Sequence, residues 1–370
     1  MNGGIPGRIG IQQRVLPSYR VPFFDALATA CPQGVSVFAG QPRPEDGILG
    51  SAELQRARRF EANNVHHFSG PFYLLSQPNI LDWLESWQPD VLIAEANPRN
   101  LSLASAVRWM HTHRHQVIGW GLGAPSSGSA LGGLQNALRR RFLGQFDALI
   151  TYSQLGAGQY RAAGFPSERI FVAPNAVAPR PNHPAPLRLP NFKDGKPLVL
   201  FVGRLQARKR LELLIKACAA LPAALQPRLV IVGDGPEHAA LKALAAQVYP
   251  STEFTGAREG AELDAYFDSA DLFVLPGTGG LAVQQAMSHA LPVIAAEADG
   301  TQSDLVRPGN GWQLPPGDLS ALTRTLEYAL SDAARLRQMG QASYHIVSEE
   351  INLEAMVAAF GRAISAVLSS

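Results

Sequence analysis

Short apolar runs recur along the chain, each bounded by glycine, proline or polar residues and each followed by a segment of helix length. In the first half they predict strands at Ile9–Ile11, Val35–Phe38, Val91–Ala94, Val117–Gly119, Ala148–Thr151 and Ile170–Ala173. In the second half they predict Leu198–Val202, Arg228–Val232, Thr252–Thr255, Leu272–Leu275 and Val293–Ala295. Strands alternating with helices of about 10–15 residues make βαβ units and parallel sheets. Right-handed crossovers then give doubly wound α/β domains. Pro174–Pro197 carries seven prolines and little periodicity, so it reads as the connection between two halves. Residues 354–368 repeat apolar positions at helical spacing and predict a last amphipathic helix.

Composition narrows the class. A chain of 370 residues accommodates two domains of roughly 100–200 residues each. With 46% hydrophobic and 17% charged residues it suits a well-buried α/β protein and not a disordered one. The net charge of +2 gives no global argument for nucleic acid as a partner. Cys31 and Cys218, one in each half, do not make a disulfide framework. No apolar run reaches about 18 residues and the start lacks a secretory h-region, so a cytoplasmic protein is expected.

The chemistry concentrates between Leu198 and Pro308. Phe201-Val202-Gly203-Arg204-Leu205 ends a strand, and Lys209 is expected on the opening turn of a helix, Leu211–Ala220. Leu229 to Pro236 runs from a buried strand into Gly-Asp-Gly-Pro, a weak signal because such turns close many strands. Gly279-Gly280-Leu281 then opens a helix containing Gln284 to His289. In a parallel α/β sheet these strand-end loops are where ligands bind. A helix start with free N–H groups, a guanidinium and an ammonium suits phosphate, and two glycines let backbone amides approach it. A solvated basic helix start and a tight strand-to-helix turn are the plain alternatives.

The order and wording of these segments resemble the nucleotide-binding half of retaining glycosyltransferases of the GT-B architecture, family 4 in particular. The resemblance is closest over residues 198–330 and weaker over 1–197. It implies two Rossmann-like doubly wound domains facing each other across a cleft. Residues 1–175 would be the acceptor-side domain, 176–197 the linker, 198–352 the nucleotide-sugar domain, and 353–370 a helix packing back on the first domain. It further implies that Arg204 and Lys209 hold the diphosphate of a nucleotide sugar, supported by amides at Gly203, Gly279, Gly280 and Leu281. Fixed cations there stabilise the charge that grows on the leaving group, so metal is not required. Arg258 lies where the family contacts the nucleotide base.

The family usually carries two glutamates with seven residues between them in the third segment. Aligned on Gly280-Leu281 and Ala286-Met287, those positions are Gly277 and Gln285. Gln285 can still offer an amide to the ribose. Gly277 cannot contact the sugar, and Asp299 is a candidate replacement, an Asx-turn or helix cap being the alternative.

In the first half, Tyr19 and Arg20 are placed to meet acceptor or donor phosphates, with helix-start packing an equal alternative. Gly121, in Gly119-Trp-Gly-Leu-Gly123, can bring backbone to the donor sugar, although the histidine common there is absent. Asn97 and Arg99 occupy another strand-end loop. His111, His113 and His115 alternate but share no helical face, and no acidic or cysteine partner is near, so no metal site is expected. Asn136 to Leu143 is basic and amphipathic enough to touch an anionic membrane, as a solvated helix also is.

The combined expectation is retaining transfer from a UDP- or GDP-linked sugar to a hydroxyl of a glycan or lipid-linked glycan in surface polysaccharide biosynthesis. Peripheral contact with the inner face of the membrane is compatible with it. The alternative from another class is a non-catalytic GT-B subunit that binds a sugar nucleotide or a partner, motivated by the missing glutamates. An epimerase would need an acid/base pair around the sugar, and none stands out.

Overall fold

A computed structural model describes residues 4–43, 53–125, 132–279, 281–298 and 300–369. They form two compact units, Met1–Val177 with Leu353–Ser370, and Ala178–Asn352.

The first unit is built on a seven-stranded sheet. In chain order its strands are β1 (Ile9–Val15), β2 (Val35–Gly40), β3 (Arg58–Glu61), then, after a small antiparallel pair β4 (Val65–His67) and β5 (Leu74–Ser76), β6 (Val91–Glu95), β7 (Gln116–Gly121), β8 (Ala148–Thr151) and β9 (Ile170–Val172). The spatial order is β3-β2-β1-β6-β7-β8-β9, all parallel. Central strands such as β2 and β8 are buried at every position, which is why they read as continuous apolar runs.

One face of this sheet is covered by the helix Val21–Ala30 and by Leu353–Leu368. In the latter, Leu353, Met356, Phe360, Ala363, Ile364 and Val367 make the buried stripe. The Phe360 ring packs against Phe23 at 4.8 Å and edge-on to Trp120 at 4.9 Å between centroids. Burying such a ring stabilises by about 1.5–3 kcal/mol. The run Ala333–Leu368 has the length and composition of a membrane span, contrary to the expectation of no such stretch. Half of its most apolar window is buried inside the protein, and Leu353–Leu368 is a core helix of the first unit.

The second unit has six parallel strands: β10 (Leu198–Val202), β11 (Arg228–Val232), β12 (Thr252–Gly256), β13 (Leu272–Leu275), β14 (Val293–Ala296) and β15 (Gly311–Leu314). Their spatial order is β12-β11-β10-β13-β14-β15. One large core spans the sheet and its helices.

The proline-rich stretch is not a loose connection. Arg188 is planted in the second unit, where its guanidinium donates to the carbonyls of Phe267 (3.0 Å), Asp268 (2.8 Å), Ala270 and His289 (2.6 Å). Those carbonyls end or follow the helices Gly260–Ser269 and Leu281–Ser288, so one cation caps the ends of two helices. Arg337 donates to the carbonyl of Leu189 (2.8 Å) and pairs with Asp271 at 2.7 Å.

The alternating histidines resolve as ordinary surface. His111 meets Asp147 at 3.2 Å, an acidic partner that the chain order conceals, and His113 stacks on Trp109 at 4.1 Å.

Candidate functional site

In the second sheet the chain order reverses between β10 and β13, with β11 and β12 on one side and β14 and β15 on the other. At such a switch point adjacent loops leave in opposite directions and open a crevice at the carboxyl ends of the strands. β10 runs out there into Gly203-Arg204-Leu205, and β13 into Pro276-Gly277-Thr278-Gly279. The sheet topology thus brings together the first and last of the three glycine-bearing segments.

The two loops are docked on each other. Thr278 N–H donates to the Arg208 carbonyl at 3.0 Å. A Cβ at position 277 would lie 2.2 Å from that same carbonyl oxygen and 2.7 Å from Lys209 Cα, so only glycine fits. Gly203 donates its N–H to Val232 O at 3.0 Å, so that amide is already engaged within the sheet edge. Arg204 is exposed at the end of β10.

Lys209 does not open a helix. It ends a short 3₁₀ turn, Ala207–Lys209; Arg210 follows in the left-handed region at φ 56°, and the α-helix begins at Leu211. That break turns Lys209 back toward the glycine turn. Its Nζ stands 2.1 Å from where a Cβ on Gly279 would be, and Gly279 has φ 136°, which favours glycine. Burial, and then the neighbouring Arg208 charge, lowers the Lys209 pKa to about 8. Among the described residues no carboxylate pairs with it. The arrangement is a half-buried ammonium beside a second cation, at the mouth of a glycine turn.

Leu281 begins the helix Leu281–Ser288, and Gln285, half-buried, lies one turn into it. The adjacent Gln284 is committed to the fold, donating to Ile351 O at 2.8 Å. Arg258 lies on a different strand-end loop from Arg204 and Lys209. It follows β12, an edge strand two places from β10, and pairs with Glu262 at 3.6 Å. Gly280 and Asp299 lie outside the described residues. A groove of about 470 Å³ lies beyond the clamp, lined by Arg208, Arg210, Glu212, Glu237, Leu241 and Leu244. With two glutamates in its wall it suits an anion less well than the glycine turn does.

The first sheet has its own switch point, between β1 and β6. There Glu95, at the end of β6, accepts from Arg14 N–H at 2.9 Å, and its own N–H donates to Gln12 at 3.0 Å. Burial raises its pKa, partly opposed by Arg14. Glu95 carries no signal in its residue type beyond its place at a strand end. A buried amide network lies beneath it, Gln12 donating to Gln77 at 2.7 Å and Asn100 to Gln77 at 3.1 Å.

Tyr19 is exposed, whereas Arg20 is only 5% exposed. Arg20 donates to Asn175 at 2.7 Å and lies over the Trp120 and Tyr152 rings at 5.4 and 5.2 Å. Of its two readings, packing at the helix start is what the structure displays. Gly121 ends β7, where a Cβ would meet the Tyr160 hydroxyl at 2.7 Å. Its missing side chain makes room for that ring.

The profile of the family described as Glycosyl transferases group 1 matches residues 188–346, and that of the Glycosyl transferase 4-like domain matches residues 26–176. The chain is 37% identical over 163 residues to sulfoquinovosyl transferase of Arabidopsis thaliana, covering 42% of this chain and 31% of that one. It is 42% identical over 144 residues to a GDP-mannose-dependent alpha-mannosyltransferase of Mycobacterium tuberculosis, covering 38% and 34%. The chain thus spans about a third of the length of these curated relatives. Among solved structures it is similar to HepE of Anabaena in complex with UDP, with a TM-score of 0.71 at 18% identity over 98% of this chain and 100% of that one. That last likeness is one of fold, the GT-B architecture of two Rossmann-like domains. With the two family profiles matched in succession on two parallel-sheet units, the chain belongs to the group 1, family 4-like glycosyl transferases.

Proposed function

We propose that the protein is a retaining glycosyltransferase. It moves a sugar from a UDP- or GDP-linked donor to a hydroxyl of a glycan or lipid-linked glycan during surface polysaccharide biosynthesis. The observation that carries this reading is Lys209: an ammonium pushed toward neutrality by burial and by Arg208, seated at Gly279. An anion is what relieves both penalties, and a diphosphate brings enough charge for Lys209 and Arg204 together. The printed names of relatives support the donor class, one mannosyltransferase being GDP-mannose-dependent and one similar structure holding UDP.

As the bond from sugar to diphosphate breaks, negative charge grows on the leaving oxygen. Cations already in place bind that state more strongly than the ground state, which lowers the barrier. The leaving phosphate then accepts the acceptor's proton on the same face of the sugar, and configuration is retained. Arg204 and Lys209 supply the neutralising charge, so no metal is assigned. Gln285 is assigned to the ribose, and the loops after β1 and β6, with Tyr19 and Glu95, to the acceptor side. Arg139, Arg140 and Arg141 share the helix Gly132–Leu143 with the exposed Leu138, which supports contact with an anionic membrane from the cytoplasmic side.

Incubation with UDP- and GDP-sugars and a lipid-linked glycan extract, following nucleoside diphosphate release and the product anomer by NMR, tests this. Release with retained configuration supports it; inverted configuration contradicts it. Nucleotide binding without release from any donor favours a second reading, a non-catalytic sugar-nucleotide-binding subunit. The packing at Gly277, which leaves no space for an acidic side chain, supports that second reading.

A further inference from the structure

Gln302 was not singled out by its sequence context, yet it touches the glycine turn from beneath. It is the second residue of the short helix Thr301–Leu305, which follows β14 and starts after Gly300 in the left-handed region at φ 88°. Its side chain is 1% exposed. Nε2 donates to the Gly279 carbonyl at 2.8 Å, while Oε1 is buried with no partner among the described residues. A buried amide that uses one end only lowers stability, because an unmet acceptor is costly to remove from water. An apolar residue of similar volume would serve the core better. The one side-chain bond of Gln302 among the described residues falls on the residue whose backbone lies under the Lys209 ammonium.

We propose that Gln302 is a positioning residue for the diphosphate. By holding the Gly279 carbonyl inward it fixes the turn, keeping an acceptor oxygen away from the anion and leaving the Lys209 ammonium and the helix start at Leu281 directed to it. Three strand-end segments, after β10, β13 and β14, then converge on one anion site. This rests on the diphosphate reading above.

The test is calorimetric titration of the full chain and of Gln302→Met and Gln302→Glu with UDP and GDP. Each is paired with NMR titration of the corresponding nucleoside. Methionine keeps the volume without a donor; glutamate keeps the shape and sets a second acceptor against the Gly279 carbonyl. The expected result is a diphosphate affinity at least tenfold weaker in both variants and a nucleoside affinity within twofold of the parent. Melting temperature should be unchanged or higher in Gln302→Met. A merely structural role would move the melting temperature, or both ligands alike. Diphosphate binding within twofold of the parent in both variants would overturn the inference alone. Failure of both variants to fold would also overturn it, because Gln302 would then be holding up the domain. If the parent chain bound neither diphosphate, the functional reading would fall and this inference with it.

Discussion

The ammonium of Lys209 occupies the space that a side chain on Gly279 would fill. An anion bound there restores the charged form of a lysine whose pKa is lowered to about 8 by burial and by Arg208. Nucleoside diphosphate binding should therefore take up protons between about pH 8 and 9, and affinity should fall as pH rises above about 8. The sign for stability is opposite. The unfolded chain holds this proton up to about pH 10.5, so the unliganded protein gains stability from this group as pH rises from about 8 to 10.5. Calorimetry in Tris and HEPES, whose ionisation heats differ, reads the uptake. Equal heats and a flat affinity from pH 7 to 9.5 would count against it.

Returning a side chain to position 277 should not restore a donor contact. The Cβ alone meets the Arg208 carbonyl oxygen at 2.2 Å, so the clamp loop must move. Gly277→Ala is expected to cost about 1–3 kcal/mol in urea unfolding, as overpacking does. Gly277→Glu should weaken diphosphate binding further. A Gly277→Glu protein with tighter donor binding would show that the loop yields easily.

At the other switch point, burial holds the Glu95 pKa above its ordinary 4.5. The folded state therefore keeps this proton after the unfolded chain has lost it, and stability falls as pH rises from about 4.5 through the folded-state pKa. Glu95→Gln keeps the acceptor for Arg14 N–H and removes the charge. It should be more stable than the parent at pH 7.5, with the gap closing toward pH 4. A variant destabilised equally at both values would contradict this.

Arg188 meets four backbone carbonyls with one guanidinium. Its removal leaves the part-buried carbonyls of Phe267, Ala270 and His289 short of a donor, at about 1–3 kcal/mol each. Arg188→Met should lose at least about 3 kcal/mol in urea unfolding, and Arg188→Lys should recover little, since one ammonium cannot span the same fork. A loss below about 1 kcal/mol would mean that water replaces these bonds.

The central strands were legible because both of their faces are buried, which leaves an uninterrupted apolar run such as Leu272–Leu275. Two of the edge strands, β3 and β15, were not, although the edge strands β9 and β12 were. Arg58–Glu61 and Gly311–Leu314 are half-exposed, so polar residues break their pattern. The last helix announced itself through its stripe, and its partner face, centred on Phe23 and Trp120, was not readable. Lys209 was visible as a cation near a strand end. Its direction depends on Arg210 adopting a left-handed backbone, a feature that residue type does not announce. Arg20 read equally as a ligand contact and as helix-start packing, because the aromatic and Asn175 partners that hold it come from distant segments. Glu95 and Gln302 gain their meaning from strand order, since each sits where loops far apart in sequence converge.

The most direct measurement is calorimetric titration of the protein with UDP and GDP, repeated on Arg204→Ala and Lys209→Met. Micromolar binding of one diphosphate, weakened at least about tenfold by each substitution as expected for a lost charge-assisted bond, is the predicted result. Binding that survives Lys209→Met unchanged, or no binding of either diphosphate by the parent protein, would contradict the assignment of this turn as the diphosphate site.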